Sequence, residues 1–588
     1  MSQRTRRKYG VLSVARQQAD REGTPAMDLA ENPQMEDYSL RYTPAAFRKW
    51  SPWMVFLSCL VGLSAMAGYA LDAAFVNAFG FGNALLGFGV AAVVTLPLTL
   101  VIAFAVVRKH VDIDLLTRGS GFGYLGSTLT SLVYATYTLI FLAYEGAIMG
   151  QAVTALTGLP IQASYVLVAA VMIPLTLYGM SFSSKFQAWT WPLWIALIGL
   201  AIGTAATAPH AGHNMVAPAT VSPAGVAGIS VLAVFTIAAA QLSLATQVGE
   251  QGDYLRLMPE PEPGKRGRWR LAVIMGGPGF ALFAVLIFFA STLLVGYAGT
   301  QVDAGQVAIP VDLFTVVYQR LTGNHTVALI LAGVLVLLSQ IKINIMNTYS
   351  GSLSWSNFFS RLLHRHPGRA VWVFLQVGLA LVLMEINIFD HIVTVLAWYA
   401  NLGIAWIAAM VTDLVINKRW LKLSPPQLVF HRAHLYNINP VGFGSMIVAG
   451  AVSMAAYYGA FGTGAAVLSP FVALAIAIVL PPIIAAATKG RWYIARESDL
   501  PAGADELTCT VCAGSYDRVD MATCPYHGGT ICSLCCSTEG ACHDACKPSA
   551  WYPARGVTAL GMPGIGEPHR TSTPAGVAAS TTTAQEVA

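Results

Sequence analysis

An all-α polytopic membrane protein of about twelve helices is predicted by three features of this 588-residue sequence. Hydrophobic residues make up 55% of it and charged residues only 11%, which is more apolar than a soluble core requires. Apolar runs of about 20 residues recur along the chain, each long enough to cross a bilayer as a helix; barrel strands would instead be short and alternating. The basic residues gather in every second connection between those runs, as they do when positive loops are kept on one side of a membrane.

The runs predict spanning helices near residues 53–77, 83–107, 124–154, 163–180, 186–207, 225–248, 271–298, 325–349, 370–387, 390–416, 441–460 and 464–487. Connections assigned to the inside carry Arg108, Lys109 and Arg118; Lys185; Arg256, Lys265, Arg266, Arg268 and Arg270; Arg361, Arg365 and Arg369; and Lys418, Arg419, Lys422 and Arg432. Those assigned to the outside carry almost only Arg320. The asymmetry predicts an even helix count, insertion in the inner (plasma) membrane and cytoplasmic termini. Residues 1–50 are polar, include Arg4, Arg6, Arg7 and Lys8, and lack the apolar core of a cleavable signal; they read as a cytoplasmic tail. The net charge of +5 is small for this length and its basic residues sit between spans, so no nucleic-acid partner is expected. His210 and His213, in a Pro- and Ala-rich external loop, read as solvated side chains rather than metal ligands.

After the twelve-helix region, 51–490, the composition turns polar. Eight of the nine cysteines fall between Cys509 and Cys546, as CTVC, CPYH, CSLC followed by Cys536, and CHDAC. Paired ligands at this density predict a structural metal module over 505–548. A cross-braced arrangement would hold two zinc ions, one by Cys509, Cys512, Cys532 and Cys535 and the other by Cys524, His527, Cys542 and Cys546, with Cys536 able to replace any one ligand. Disulfides are the alternative, disfavoured by a reducing cytoplasm. Residues 549–588, rich in Pro, Gly, Ala, Ser and Thr, read as a disordered tail.

Ionisable groups inside spans are costly and usually face a cavity or one another. Asp72, Glu145 and Lys342 stand out, and the eighth run, LLSQIKINIMNTYSGS, adds the amides of Asn344 and Asn347. Two readings remain open: a structural ion pair holding the bundle together, or a substrate or coupling site. Within the first run, VGLSAMAGYALD places Ser64 among small residues that suit either an unwound stretch or close helix packing. No nucleophile–base pair or open metal site is evident, so no enzymatic activity is expected.

Three segments, RGSGFGYLGS at 118–127, GDYLRLMP at 252–259 and NIMNTYSGSLSWSN at 344–357, resemble in order and spacing the nucleobase:cation symporter family 1, the purine and cytosine permeases. The resemblance implies a leucine-transporter-like fold, two inverted five-helix repeats plus two helices, with the ligand near the midplane. It also implies a secondary transporter of nucleobases or related planar nitrogen heterocycles. Phe141 falls where the family stacks an aromatic on its ligand, Glu145 where it has an amide, and Asn347 at its ligand-facing asparagine. A carboxylate in place of that amide favours ligand N–H donors. Where sodium-coupled members carry hydroxyl residues, this chain has Ile341 and Lys342, so Lys342, with Asp72 and Ser64, is expected at the cation-coupling position and coupling is expected to be sodium-independent or to protons. The family's sixth-helix aromatic has no clear equivalent, Phe235 and Gln241 being the candidates. The cysteine cassette resembles one that links permease-like membrane halves of bacterial sensor kinases to signalling domains. The competing expectation is therefore a sensor that binds such a ligand and signals through the module to a separate partner.

Overall fold

The computed structural model describes residues 40–217, 228–500 and 503–553. The expected tails at 1–50 and 549–588 thus lie largely outside the described residues.

All twelve expected segments are helical. They are α1 Pro52–Ser64 with α2 Met66–Phe79, α3 Phe81–Lys109, α4 Gly126–Thr157, α5 Ile161–Leu177, α6 Gly179–Ala206 and α7 Val231–Leu255. There follow α8 Arg266–Gly276 with α9 Gly279–Ala298, then α10 Pro310–Thr322, α11 His325–Leu363, α12 Arg369–Glu385, α13 Ile392–Thr412, α14 Ser445–Tyr457 and α15 Ser469–Ala487. Among the described residues nine helices are singly long and apolar enough to cross a membrane, and the α1–α2 pair, bent by 43°, makes a tenth. The remaining two expected spans, α5 and α12, have 17 residues each. At about 1.5 Å per residue that length comes close to the bilayer core. The chain is a multi-pass membrane protein.

Local chemistry sets the element ends. Ser51 caps α1, its hydroxyl accepting from Met54 N at 3.2 Å, with Pro52 in the first turn. Asn324 caps α11 by accepting from Val327 N at 3.2 Å. The segment expected as one helix over 271–298 is two, because Gly277 departs from helical geometry and Pro278 has no N–H to continue the ladder. The connection over 299–324, between the expected spans 271–298 and 325–349, contains α10, whose Tyr318 hydroxyl donates to the Leu197 carbonyl at 2.8 Å.

α4 and α11 form the central packed pair, with α10 and α12 against α11 and α3 against α7. Close approach needs glycine at two places. A Cβ on Gly249 of α7 would lie 2.4 Å from the Tyr134 ring of α4, and one on Gly351 of α11 would lie 2.2 Å from the Gln376 amide of α12. α11 is also longer than expected, running to Leu363 instead of 349. Its added turns are polar but buried. Arg361 donates to Asp114 at 2.8 Å, to Ser127 Oγ at 2.5 Å and to the Tyr124 carbonyl at 2.9 Å. Arg118 pairs with the other Asp114 oxygen at 2.7 Å, and Arg256 with Asp112 at 3.5 Å. Burial pushes the Asp114 carboxyl up, but Arg361 and Arg118 together outweigh it and hold the group below its ordinary value.

Past the bundle lie two short antiparallel hairpins, β1 Glu506–Thr508 with β2 Ser515–Asp517 and β3 Met521–Cys524 with β4 Gly529–Cys532, followed by α16 Ser533–Thr538. This module is bonded to the bundle. Arg432 donates to the carbonyls of Cys536 at 2.8 Å and Glu539 at 2.5 Å, His364 Nδ1 lies 3.1 Å from the Ser537 carbonyl, and Ser533 Oγ donates to the Leu40 carbonyl at 3.1 Å.

Candidate functional site: a cavity at the helix break and a four-cysteine centre

At Ala65 the backbone turns extended (ψ 108°), ending α1 and starting α2. Ala65 has no side chain with which to cap α2, so the first amides of α2 need partners from elsewhere. Two helices supply them. Glu145 Oε2, from α4, accepts from Ala67 N at 3.2 Å, and Gln340 Oε1, from α11, accepts from Met66 N at 3.3 Å. Gln340 Nε2 in turn donates to Glu145 Oε2 at 2.5 Å and to the Glu145 carbonyl at 2.8 Å. A carboxylate thus meets the positive end of α2, the favourable end of the helix dipole for negative charge.

Beside this junction is a cavity of about 630 Å³, counted with its open mouth, among α1, α2, α3, α4, α7, α9 and α11. Its polar lining includes Asp72, Glu145, Gln241, Gln247 and Asn347. Tyr137 and Phe141 form an aromatic wall, their ring centroids 4.8 Å apart. α7 tightens to a 3-10 turn over Ser243–Gln247, and Gln247 reaches from the cavity wall to donate to Glu250 Oε2 at 3.3 Å. Asn347 Nδ2 donates to Asn344 Oδ1 at 3.4 Å.

The structure brings Phe141, Glu145, Asn347 and Asp72 together on one cavity. Asn344 stands behind Asn347 and does not line it. Ser64 lies at the end of α1 beside the break, with its hydroxyl donating back to the Val61 carbonyl at 2.7 Å. Lys342 is elsewhere. Two residues along a helix is about 200° of rotation, so Lys342 points away from Gln340 toward α6. There its ammonium donates to Thr190 Oγ1 at 2.9 Å and lies 3.9 Å from the centre of the Trp191 ring. Among the described residues no carboxylate pairs with it, so of the two open readings the structural ion pair finds no support at Lys342. Of the two candidates for the missing aromatic, Gln241 lines the cavity, whereas Phe235 packs on Phe471 with centroids 5.2 Å apart.

Sequence reasoning missed Gln340, Tyr137 and Gln247. Helical spacing could have found the first two: Gln340 is seven residues before Asn347 and Tyr137 four before Phe141, each on the face of the residue already chosen. Gln247 carried no such signal, because the 3-10 turn changes the helical phase.

In the module, the Sγ atoms of Cys509, Cys512, Cys532 and Cys535 all lie within 4.8 Å of one another. Bonds of about 2.3 Å in a tetrahedron place sulfurs roughly 3.8 Å apart, so this set fits a tetrahedral ion. Backbone amides support it: Cys532 N lies 3.4 Å from Cys509 Sγ and Cys535 N lies 3.5 Å from Cys532 Sγ. The second expected set does not converge. His527 Nε2 is 3.0 Å from Glu539 Oε2, while Cys524, Cys542 and Cys546 line a small cavity with Cys536 instead. Among the described residues only the first set brings three or more ligand atoms within 4.8 Å of one another, and no disulfide joins any of the nine cysteines.

No family model matches the sequence, and no curated protein does. Among solved structures it is similar to Mhp1, a nucleobase-cation-symport-1 family transporter, in a closed conformation with bromovinylhydantoin bound: TM-score 0.54 at 16% identity over 77% of this chain and 96% of that one. The inward-facing conformation of Mhp1 gives 0.53 at 16% identity over 76% and 92%. The substrate-bound outward-open state of a Na+-coupled sialic acid symporter gives 0.51 at 12% identity over 80% and 97%. At these identities the likeness is one of fold, the leucine-transporter-like architecture expected above.

Proposed function

We propose that the chain is a secondary transporter, a member of the nucleobase-cation symporters, for small planar nitrogen heterocycles. The observation that carries this reading is the cavity at the α1–α2 break, with the Phe141–Tyr137 wall for a flat ring and Glu145 and Asn347 at its polar edge. A ring held against aromatic faces and read along its edge by acceptor groups is what such a ligand needs. Coupling does not run through Lys342, which has no contact with the break. The termini and the cysteine module lie on the cytoplasmic side of the plasma membrane in this reading, where the basic connections fall. A single zinc ion held by Cys509, Cys512, Cys532 and Cys535 closes the module, a structural role suited to a full set of four thiolates. Uptake of labelled cytosine, hypoxanthine, uracil and allantoin into proteoliposomes, with imposed ion gradients, tests the reading.

A second reading, a sensor that binds the same ligand without transporting it, is favoured by the module's bonds to the end of α11 and to Arg432. α11 carries Asn347 at the cavity and ends at Leu363, next to His364 at the module, so one helix leads from the cavity to the module. Binding without accumulation would support this reading.

A further inference from the structure

We propose that the ligand of this cavity is itself a planar organic cation, for example an amidinium or a protonated amino-heterocycle, and not a neutral nucleobase. The inference rests on the planar-ligand reading and narrows it to a charge class.

Two carboxyl groups line the cavity, Asp72 at 3% exposure and Glu145 at 1%. Among the described residues neither forms an ion pair, and Asp72 makes no hydrogen bond. Glu145 commits one oxygen, Oε2, to Ala67 N and Gln340, while Oε1 makes no hydrogen bond to the described residues. No Lys, Arg or His lines the cavity. The buried arginines near the module end are matched instead, Arg118 and Arg361 to Asp114 and Arg256 to Asp112. Behind the cavity lies a third carboxyl, Glu250, faced by Gln247 and Asp253 of its own helix and by Glu145, Tyr134 and Tyr137 of α4. It adds negative charge and no cation.

Carboxylates without counter-ions in a low-dielectric space are costly, and a ligand that brings positive charge removes that cost. Among the described residues no third Asp, Glu, His or Cys side chain converges with these two carboxyls, the one such set of three or more being in the cysteine module. Phe88, Tyr137, Phe141 and Phe280 also line the cavity, and an aromatic ring's face binds a flat cation more tightly than a neutral ring of the same shape.

The test uses full-length protein in nanodiscs and two isosteric probes, benzamidinium and benzamide, with uracil as a neutral nucleobase, at neutral pH in buffer without sodium and again with it. Calorimetry should find benzamidinium bound at least about tenfold more tightly than benzamide. Asp72→Asn should bring that ratio close to one, and Asp72→Glu should retain it. Melting temperature and zinc content report folding of each variant. Equal or tighter binding of benzamide or uracil overturns the inference and leaves the planar-ligand reading standing. So does uracil binding that requires sodium or takes up a proton, because the carboxylates then serve a small cation. Failure of all three probes to bind folded wild-type protein overturns both.

Discussion

Gln340 and Glu145 meet at 2.5 Å across the α11–α4 interface, and the same Gln340 amide accepts from Met66 N at the start of α2. One side chain therefore joins the two longest central helices to the broken first span. Gln340→Ala leaves the Met66 amide and one Glu145 contact unmet in a dry interior. We expect a loss of about 1–3 kcal/mol, read as a lower melting temperature in detergent, together with weaker ligand binding. Unchanged melting and binding would mean that the α2 amides are satisfied without it.

Lys342 should matter little to the ligand. Its ammonium sits over Trp191 and bonds to Thr190, on the side of α11 away from the cavity. Lys342→Met replaces a buried charge by an apolar side chain of similar length, and such exchanges are often neutral or stabilising. Affinity for the transported heterocycle should change by less than about twofold and melting should hold or rise. A large loss of uptake, or new sodium dependence, would return Lys342 to the coupling role expected from the family pattern.

Asp114 should anchor the other end of the bundle. It joins Arg118 and Arg361, and Asp114→Asn leaves two buried guanidinium groups without their carboxylate. Breaking such a cluster costs about 3–5 kcal/mol. The folded-state value of Asp114 lies below the ordinary 3.8, so its stabilisation is fully present above pH 3.8 and is lost as pH falls through that lower folded value. Melting temperatures of wild type and Asp114→Asn should therefore differ most above pH 5 and converge on acidification.

Metal analysis of the purified chain should find one zinc per molecule. Cys512→Ser should remove it, and His527→Ala should leave it in place, since His527 is turned to Glu539. Two zinc ions per chain, one lost with His527, would restore the cross-braced arrangement. Chelation should loosen the module and its contacts with His364 and Arg432.

The bundle was legible because each spanning run is set by composition, which a single sequence displays directly. The ends of α11 and the division of α8 from α9 were not. The polar turns of α11 from Ser350 to Arg361 look like a loop until Asp114 and Ser127 appear as their partners, and those are distant in sequence. Of the residues that line the cavity, Phe141, Glu145 and Asn347 are picked out in the sequence by the family resemblance, and Asp72 by its charge inside a span. Lys342 stood out by the same charge, but its direction depends on helix rotation. That rotation places Gln340 on the face of Asn347, as helical spacing suggests, but its bond to Met66 N at the break shows only in the packing. The zinc ligands divided similarly: two CxxC pairs carry their own geometry, whereas His527 depends on how the second hairpin meets Glu539.

The most direct measurement is uptake of labelled planar heterocycles into proteoliposomes containing the full chain, compared with the Phe141→Ala variant. The account predicts accumulation above protein-free liposomes for at least one such compound, reduced about tenfold or more when the Phe141 ring is removed. Accumulation unaffected by Phe141→Ala, or ligand binding with no accumulation under any imposed gradient, would contradict it.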